Sequence, residues 1–206
     1  MYRLFVGLAL PDDIREQLAR FNHGLPGARW VAPENTHLTL RFIGDVDRYT
    51  AADIDSTLQG VDAAAFEFSL AGLGVFGQGR KTRALYARAE ASSGLSHLQG
   101  KVESAVVRAG QPPEPRKFSP HVTVARFRSP HPARIQAFVE HNGLFRAGPF
   151  TVTRFVLFES HMGKGGSVYE ELAEYPLNLA DPAQARAKRF ESQRSEPTAL
   201  PSFRLI

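Results

Sequence analysis

The sequence contains no cysteine. This absence excludes disulfide frameworks, cysteine nucleophiles and thiolate metal sites. Long apolar runs are missing as well. The amino-terminal stretch over residues 1–8 is too short for the apolar segment of a signal peptide, and no run reaches the length of a membrane span. We therefore expect a soluble, cytoplasmic protein that makes no contact with a membrane.

A large excess of charge of one sign is also absent. The formal net charge is +4, from 25 Lys and Arg against 21 Asp and Glu, so charge alone does not identify a binder of polyanions. The apolar content of 43% is ordinary for a globular protein. A chain of 206 residues fits one domain, or two small lobes that share a core.

The most informative feature is a short motif that occurs twice, as His37-Leu38-Thr39-Leu40 and, 84 positions later, as His121-Val122-Thr123-Val124. In a strand, residues two apart project from the same face. Each copy would therefore present one imidazole and one hydroxyl on one face and two apolar residues to a core.

The flanks of the two motifs support a repeat at the same offset of 84. Residues 2–4 fall opposite residues 86–88, and residues 66–70 fall opposite residues 150–154. The order strand, helix, His-x-Thr strand, helix, strand is predicted twice. The predicted elements are strands 3–9, 29–31, 37–43, 66–73, 84–89, 121–124, 150–159 and 167–173, and helices 11–21, 50–60, 94–108 and 132–141.

These patterns predict a domain organisation. The repeat halves would occupy about residues 1–78 and 82–160, inside one domain that extends to residue 180. Residues 181–206 are rich in Ala, Arg, Gln, Ser, Glu and Pro and offer little to bury, so we expect them to form a flexible tail.

Two imidazoles that face one site can work as a general acid and a general base, because an unperturbed histidine titrates near about pH 6.5. Two nearby hydroxyls can donate hydrogen bonds to an oxyanion. Together these groups describe a phosphate pocket without a metal. The chemistry that suits it is in-line displacement at phosphorus.

The residues around the motifs also resemble a known family. The resemblance is carried by Arg3–Val6, Trp30–Gly44, Ser119–Arg126, Phe158–Ser160 and Tyr169–Leu172. These segments are similar to the 2H phosphoesterase superfamily, and within it to the RNA 2′,3′-cyclic phosphodiesterases, also called 2′-5′ RNA ligases. The resemblance covers roughly residues 2–179.

The resemblance implies an α+β fold with two pseudo-symmetric lobes, each an antiparallel sheet with outer helices, around a central cleft. It implies hydrolysis of RNA 2′,3′-cyclic phosphate ends to 2′-phosphomonoesters, with no cofactor and no metal, and reversible ATP-independent 2′-5′ RNA ligation. His37 and His121 would be the catalytic pair, and Thr39 and Thr123 would hold the phosphate. In hydrolysis His121 would be the base and His37 the acid. We expect a monomer.

Two arginines are further candidates for substrate contact. Arg126 follows the second motif, and an arginine is frequent there in the family. Simple alternation nevertheless puts Arg126 on the face opposite His121 unless a bulge intervenes, and it puts Arg41 on the face of His37. Each could equally form a structural ion pair. Trp30, the only tryptophan, could stack on a base or pack beside Pro33.

Three alternatives stay open from the sequence. One is a phosphodiesterase for a small cyclic nucleotide, such as a nucleoside 2′,3′-cyclic phosphate or an ADP-ribose cyclic phosphate. The second is an RNA-end binding module whose hydrolysis is incidental. The third is a histidine-ligated metalloenzyme, which the lack of an acidic third ligand near either motif disfavours.

Overall fold

The structure, a computed structural model, describes residues 1–163 and 166–179. The predicted tail at 181–206 lies outside the described residues, and the domain boundary at 180 therefore stays a prediction. Among the described helices, none is both long enough and apolar enough to cross a lipid bilayer.

Within residues 1–163 and 166–179, nine strands and four α-helices form an α+β fold in which the named strands pair antiparallel. The strands are β1 (Tyr2–Ala9), β2 (Ala28–Trp30), β3 (His37–Val46), β4 (Phe66–Phe76), β5 (Ala84–Ala89), β6 (His121–Phe127), β7 (Arg146–Val152), β8 (Arg154–Gly163) and β9 (Gly166–Pro176). The helices are α1 (Asp12–Ala19), α2 (Arg48–Gln59), α3 (Ser93–Arg108) and α4 (Pro132–His141).

The strand order shows the repeat directly. The strands lie in the order β7-β4-β5-β6-β3-β1-β8-β9, and β2 pairs with β6. Strands β4, β5 and β6 on one side of the β3–β6 junction thus mirror β8, β1 and β3 on the other, and β4 lies with the second motif strand although it falls inside the predicted half 1–78. The fold class is confirmed, and the two predicted sheets are joined where β3 meets β6.

The offset of 84 that the sequence predicted for the segments flanking the motifs was wrong. Gly7 stands opposite Thr39 and Tyr86 stands opposite Thr123, so β1 and β5 correspond at an offset of 79 and not 84. Residues 66–68 and 150–152 are paired neighbours across β4 and β7 and not equivalent segments. The reason is that loop lengths differ between the halves while strand pairing is preserved.

The alternate apolar residues of the strands and the apolar faces of the helices form one hydrophobic core that both halves share. The predicted apolar face of α3 is buried, and its helix begins after Ser92, whose hydroxyl accepts a hydrogen bond from the Leu95 N–H. Helix α2 begins after Asp47, whose carboxylate accepts from the N–H groups of Tyr49 and Thr50. Helices α2 and α3 pack against each other, so elements of both halves contribute to one core.

A buried ion pair ties β3 to α3. Arg41 is only 7% exposed, with its Nε 2.7 Å from a Glu103 carboxylate oxygen and its Nη1 3.2 Å from Glu114. The same Nη1 donates a hydrogen bond to the carbonyl of Phe42. Removing one partner of such a pair leaves uncompensated buried charge, which destabilises a protein strongly.

We expect Arg41→Ala to lower the free energy of unfolding by about 3–5 kcal/mol, because the Glu103 carboxylate loses its counter-charge, although Glu114 keeps its pair with Arg116. Urea unfolding followed by circular dichroism measures this. The matched control is Arg3→Ala, which breaks a half-exposed pair with Asp45 and should cost at most about 1 kcal/mol. A loss at Arg41 no larger than that of the control would contradict a structural role.

Candidate active site

A cleft of about 600 Å³ runs across the junction of the two halves. Four of its lining residues are the motif side chains, His37 and Thr39 from β3 and His121 and Thr123 from β6. Arg126 lines the same cleft. The structure thus brings together five of the six residues that the sequence singled out.

A single pair of residues sets how the motifs face each other. Leu38 and Val122 are antiparallel partners, and both are fully buried. With these two side chains in the core, the flanking His and Thr side chains project from the opposite face, into the cleft. The apolar positions of the motif therefore determine where its polar positions point.

Each motif strand carries a bulge at the same place. On β3 the pairing passes from Thr39 to Arg41, and on β6 it passes from Thr123 to Ala125, so one residue is left over in each strand. Such a bulge shifts the alternation by one position. Residues beyond it face the side opposite to the one that simple alternation predicts.

The bulges reverse the sequence-based placement of both arginines. Arg41 moves to the buried face, where it pairs with Glu103 and Glu114, and it does not line the cleft. This geometry therefore does not support the predicted role of Arg41 in substrate contact. Arg126 moves onto the face of His121 and reaches the cleft. Its repeat counterpart at an offset of 84, Phe42, is 41% exposed.

Backbone carbonyl groups orient both imidazoles in the same way. The Nδ1 of His37 lies 2.9 Å from the carbonyl oxygen of Asn35, and the Nδ1 of His121 lies 2.7 Å from that of Ser119. A carbonyl only accepts, so Nδ1 must be the protonated nitrogen in each ring. Nε2 is then the nitrogen left to exchange protons within the cleft.

Aromatic rings crowd His37 more than His121. Ring centroids of Phe5, Phe158 and Tyr169 lie 4.7, 5.8 and 4.8 Å from that of His37. Burial lowers the pKa of His37 from 6.5 to about 4, although the hydrogen bond to Asn35 acts in the raising direction; the positive charges of Arg126 and His121 lower this pKa further. At neutral pH His37 is therefore uncharged in the free protein.

His121 rests on two aromatic rings from the neighbouring strands. The ring of Phe76 lies 4.6 Å away and that of Tyr86 lies 5.4 Å away, measured between centroids. Gly74 makes room for Tyr86, because a Cβ at this position would come within 2.6 Å of the Tyr86 ring. Because residue 74 has no side chain, the Tyr86 ring has room to pack against His121.

Asn35 connects the first motif to the β8–β9 hairpin. Its side-chain Nδ2 donates to the Ser167 carbonyl and its Oδ1 accepts from the Tyr169 N–H, both at 3.2 Å. Its backbone carbonyl holds His37. One residue thus positions the first imidazole and fixes Tyr169 against the ring of that imidazole.

The sequence did not identify several residues that line the cleft. Arg29 lies on the short strand β2, and the hairpin adds residues from β8 and β9, among them the exposed Met162 and Val168. Trp30 lines the cleft, and its ring centroid lies 6.1 Å from that of Phe138, whereas stacking on a base and packing beside Pro33 stay predictions. No local signal identified Arg29, Met162 or Val168, because their place depends on strand pairing that is distant in sequence.

In the described part of the chain, the one cluster of groups that could ligate a metal lies away from the motif histidines. Glu159, His161 and Glu170 lie close together on the hairpin, with His161 Nε2 3.2 Å from Glu170 and 3.7 Å from Glu159. None of the described residues that line the cleft is an aspartate or a glutamate. The cleft therefore offers imidazole and hydroxyl groups without the carboxylate that a catalytic zinc site often includes.

Comparison with known proteins places this geometry in a family. A family profile described as the 2′-5′ RNA ligase superfamily matches residues 10–164. An RNA 2′,3′-cyclic phosphodiesterase of Aeropyrum pernix is 32% identical over 164 residues, which cover 78% of this chain and 91% of that protein. A relative of the same name from Geobacillus stearothermophilus is 31% identical over 84% of this chain, which spans 56% of that protein's length.

Solved structures agree with this assignment. The crystal structure of TT0787 of Thermus thermophilus superimposes with a TM-score of 0.72 at 26% identity, covering 87% of this chain and all of that one. Escherichia coli LigT complexed with 3′-AMP gives a TM-score of 0.68 at 26% identity, covering 85% of this chain and 98% of that one. The family predicted from the two motifs is confirmed: the chain belongs to the 2′-5′ RNA ligase superfamily of 2H phosphoesterases, whose matched relatives are RNA 2′,3′-cyclic phosphodiesterases.

Proposed function

We propose that this protein hydrolyses the 2′,3′-cyclic phosphate ends of RNA to 2′-phosphomonoesters without a metal. His37 and His121 form the acid/base pair, and Thr39 and Thr123 hold the phosphate. The observation that carries the proposal is the pair of imidazoles that line one cleft, each with Nδ1 held by a backbone carbonyl. The names of the relatives support the substrate class.

The reaction is one in-line displacement. A water attacks phosphorus and gives its proton to one imidazole, while the P–O3′ bond breaks and the other imidazole protonates the leaving O3′. The 2′-ester bond is retained, so the product is a 2′-phosphate with a free 3′-hydroxyl. If a ribose 5′-hydroxyl attacks a 2′,3′-cyclic end in place of water, the same displacement joins two RNA ends by a 2′-5′ linkage without ATP.

The protonation state of His37 bears on the assignment of roles. With a pKa near 4 in the free protein, His37 is a weak base, and at neutral pH its Nε2 carries no proton to donate. The acid role of His37 therefore requires that the bound phosphate anion raise its pKa, as a nearby negative charge does. We propose His121 as the base and His37 as the acid, with the bound phosphate raising the pKa of His37.

A second candidate function is hydrolysis of a small cyclic nucleotide. A cleft of about 600 Å³ is large enough to hold one nucleotide and has no acidic residue in its described lining. The chemistry at phosphorus would be the same. Only comparison of mononucleotide and oligonucleotide substrates separates the two candidates.

The function is tested with a short oligoribonucleotide that ends in a 2′,3′-cyclic phosphate, in excess EDTA, with identification of the product. We expect a 2′-phosphate, and a loss of roughly 10²–10⁴ in kcat for His37→Ala and for His121→Ala. Thr39→Val and Thr123→Val keep both imidazoles and should lose less. Activity in either His variant near that of the wild type would contradict the paired mechanism.

The acid and base are distinguished with bis(4-nitrophenyl) phosphate, whose leaving group departs without needing a proton. We expect His37→Ala to lose much less activity on this diester than on the RNA end, since the acid is no longer required. His121→Ala should lose a similar factor on both substrates. The opposite ranking would reverse the two roles.

The lowered pKa of His37 also predicts how stability depends on pH. The unfolded chain takes up a proton near pH 6.5, whereas the folded protein does so only near pH 4, so stability falls as pH decreases through this window. Between pH 7 and pH 5 the loss from His37 should reach about 2 kcal/mol. Urea unfolding of the wild type and of His37→Gln at both pH values measures it, with His121→Gln as the control. An equal pH dependence in the wild type and His37→Gln would rule out the shift.

A further inference from the structure

Arg88 lies beside His121 in the sheet. Strands β5 and β6 pair antiparallel, and Arg88 is the register partner of His121, as Tyr86 is of Thr123. Residues that stand opposite each other in such a pair project from the same face. Arg88 is exposed and therefore adds a cation to the face that carries the second motif. The hydrolysis described above does not use this cation.

Most of the hydrogen-bonding capacity of the Arg88 guanidinium is unused. Its Nε donates a hydrogen bond of 2.9 Å to the backbone carbonyl of Leu73 on β4, where the pairing of β4 with β5 is irregular. Nη1 and Nη2 make no hydrogen bond or ion pair within the described residues. The carboxylate two positions along the chain, Glu90, is itself paired with Arg146 at 2.6 Å. Leu73 therefore holds in place a cation whose remaining N–H groups can bind an anion.

The guanidinium of Arg88, as Leu73 holds it, lies apart from the place of the reacting phosphate. It contacts β4, whereas the motif side chains come from β3 and β6. Strands β4 and β6 are separated by β5, and two strand spacings amount to about 10 Å. Arg88 also does not line the cleft between the motifs. It is therefore suited to a second anionic group, next to the reacting one on the side of His121.

The two sides of the reacting phosphate differ at this position. Strands β1 and β5 correspond at an offset of 79, and the residue of β1 that pairs with His37 is Ala9. An arginine thus stands beside the second imidazole and a methyl group beside the first. In the displacement proposed above, the attacking hydroxyl is on the side of His121 and the leaving O3′ is on the side of His37. The cation therefore belongs to the side from which the nucleophile comes.

We propose that Arg88 binds the RNA strand that supplies the attacking 5′-hydroxyl in 2′-5′ ligation, through the first phosphodiester of that strand. Water needs no such contact, so Arg88 acts in ligation and in its reversal but not in hydrolysis of the cyclic phosphate. In the reversal the 3′-hydroxyl attacks phosphorus and gives its proton to His37, while the P–O5′ bond breaks and His121 protonates the leaving O5′. This inference rests on the proposed function, since it concerns the same pair of imidazoles.

The test uses the reversal, in which both strands enter as one molecule. The substrates are a 2′-5′-linked dinucleotide, the trinucleotide that continues it by one 3′-5′ phosphodiester, and that trinucleotide with an uncharged methylphosphonate in place of the 3′-5′ phosphodiester. A mononucleoside 2′,3′-cyclic phosphate reports hydrolysis separately. Arg88→Gln removes the charge and keeps a polar side chain. The matched control is Arg134→Gln, an exposed residue on α4 that does not line the cleft.

For Arg88→Gln we expect KM on the trinucleotide to rise roughly 5- to 20-fold with little change in kcat, because one charge-assisted contact to phosphate is lost. KM on the dinucleotide, on the methylphosphonate trinucleotide and on the cyclic mononucleotide should change by less than about twofold. Arg88→Lys keeps the charge and should recover part of the loss. Arg134→Gln should match the wild type on all four substrates.

Two results would overturn this role of Arg88. A loss on the dinucleotide or the cyclic mononucleotide as large as that on the trinucleotide would assign Arg88 to the reacting phosphate or to folding, and an unchanged trinucleotide KM would remove it from binding. If the wild type hydrolyses no cyclic phosphate, the proposed function fails separately. In that case, or if the wild type cleaves no 2′-5′ linkage, fluorescence anisotropy with a 3′-labelled 5′-hydroxyl oligoribonucleotide decides. Its affinity must fall in Arg88→Gln and hold in Arg134→Gln, and a methylphosphonate at its first linkage must abolish that difference.

Discussion

The arrangement of the site depends on one pair of buried residues. Leu38 and Val122 are the register partners that join β3 to β6, and both side chains are excluded from solvent. Burying them directs the neighbouring His and Thr side chains to the opposite face. The hydrophobic effect thus determines the position of the polar chemistry, because a shift of one residue in either strand would bury the imidazoles and expose the apolar side chains.

The sequence predicted what depends on local pattern and repetition. The two motifs follow from copies at a fixed offset and the four helices from periodicity, whereas the α+β class was implied by the resemblance to the family. Helix α3 begins one residue before its predicted start. The placement of Arg41 and Arg126 did not follow, because a bulge after each motif changes the face of every later residue. A bulge arises from the pairing of two strands, and no single strand contains the information that predicts it.

Asymmetry between the two halves comes from residues that the repeat does not share. Tyr169 contacts His37 from a strand that lies after both halves, and Asn35 fixes that strand with two hydrogen bonds. His121 has Phe76 and Tyr86 beside it. Equivalent motifs therefore experience different surroundings. The burial of His37 lowers the pKa of this imidazole.

The position that follows each bulge has a consequence for the symmetry of the cleft toward a directional ligand. A nucleic acid strand is polar, with different 5′ and 3′ ends, whereas a site with perfect twofold symmetry would accept it in either orientation. At the equivalent positions after the bulges this chain has Phe42 in one half and Arg126 in the other. Phe42 is exposed outside the residues that line the cleft, whereas Arg126 lines it, so the two halves of a duplicated scaffold differ in chemistry at the same position.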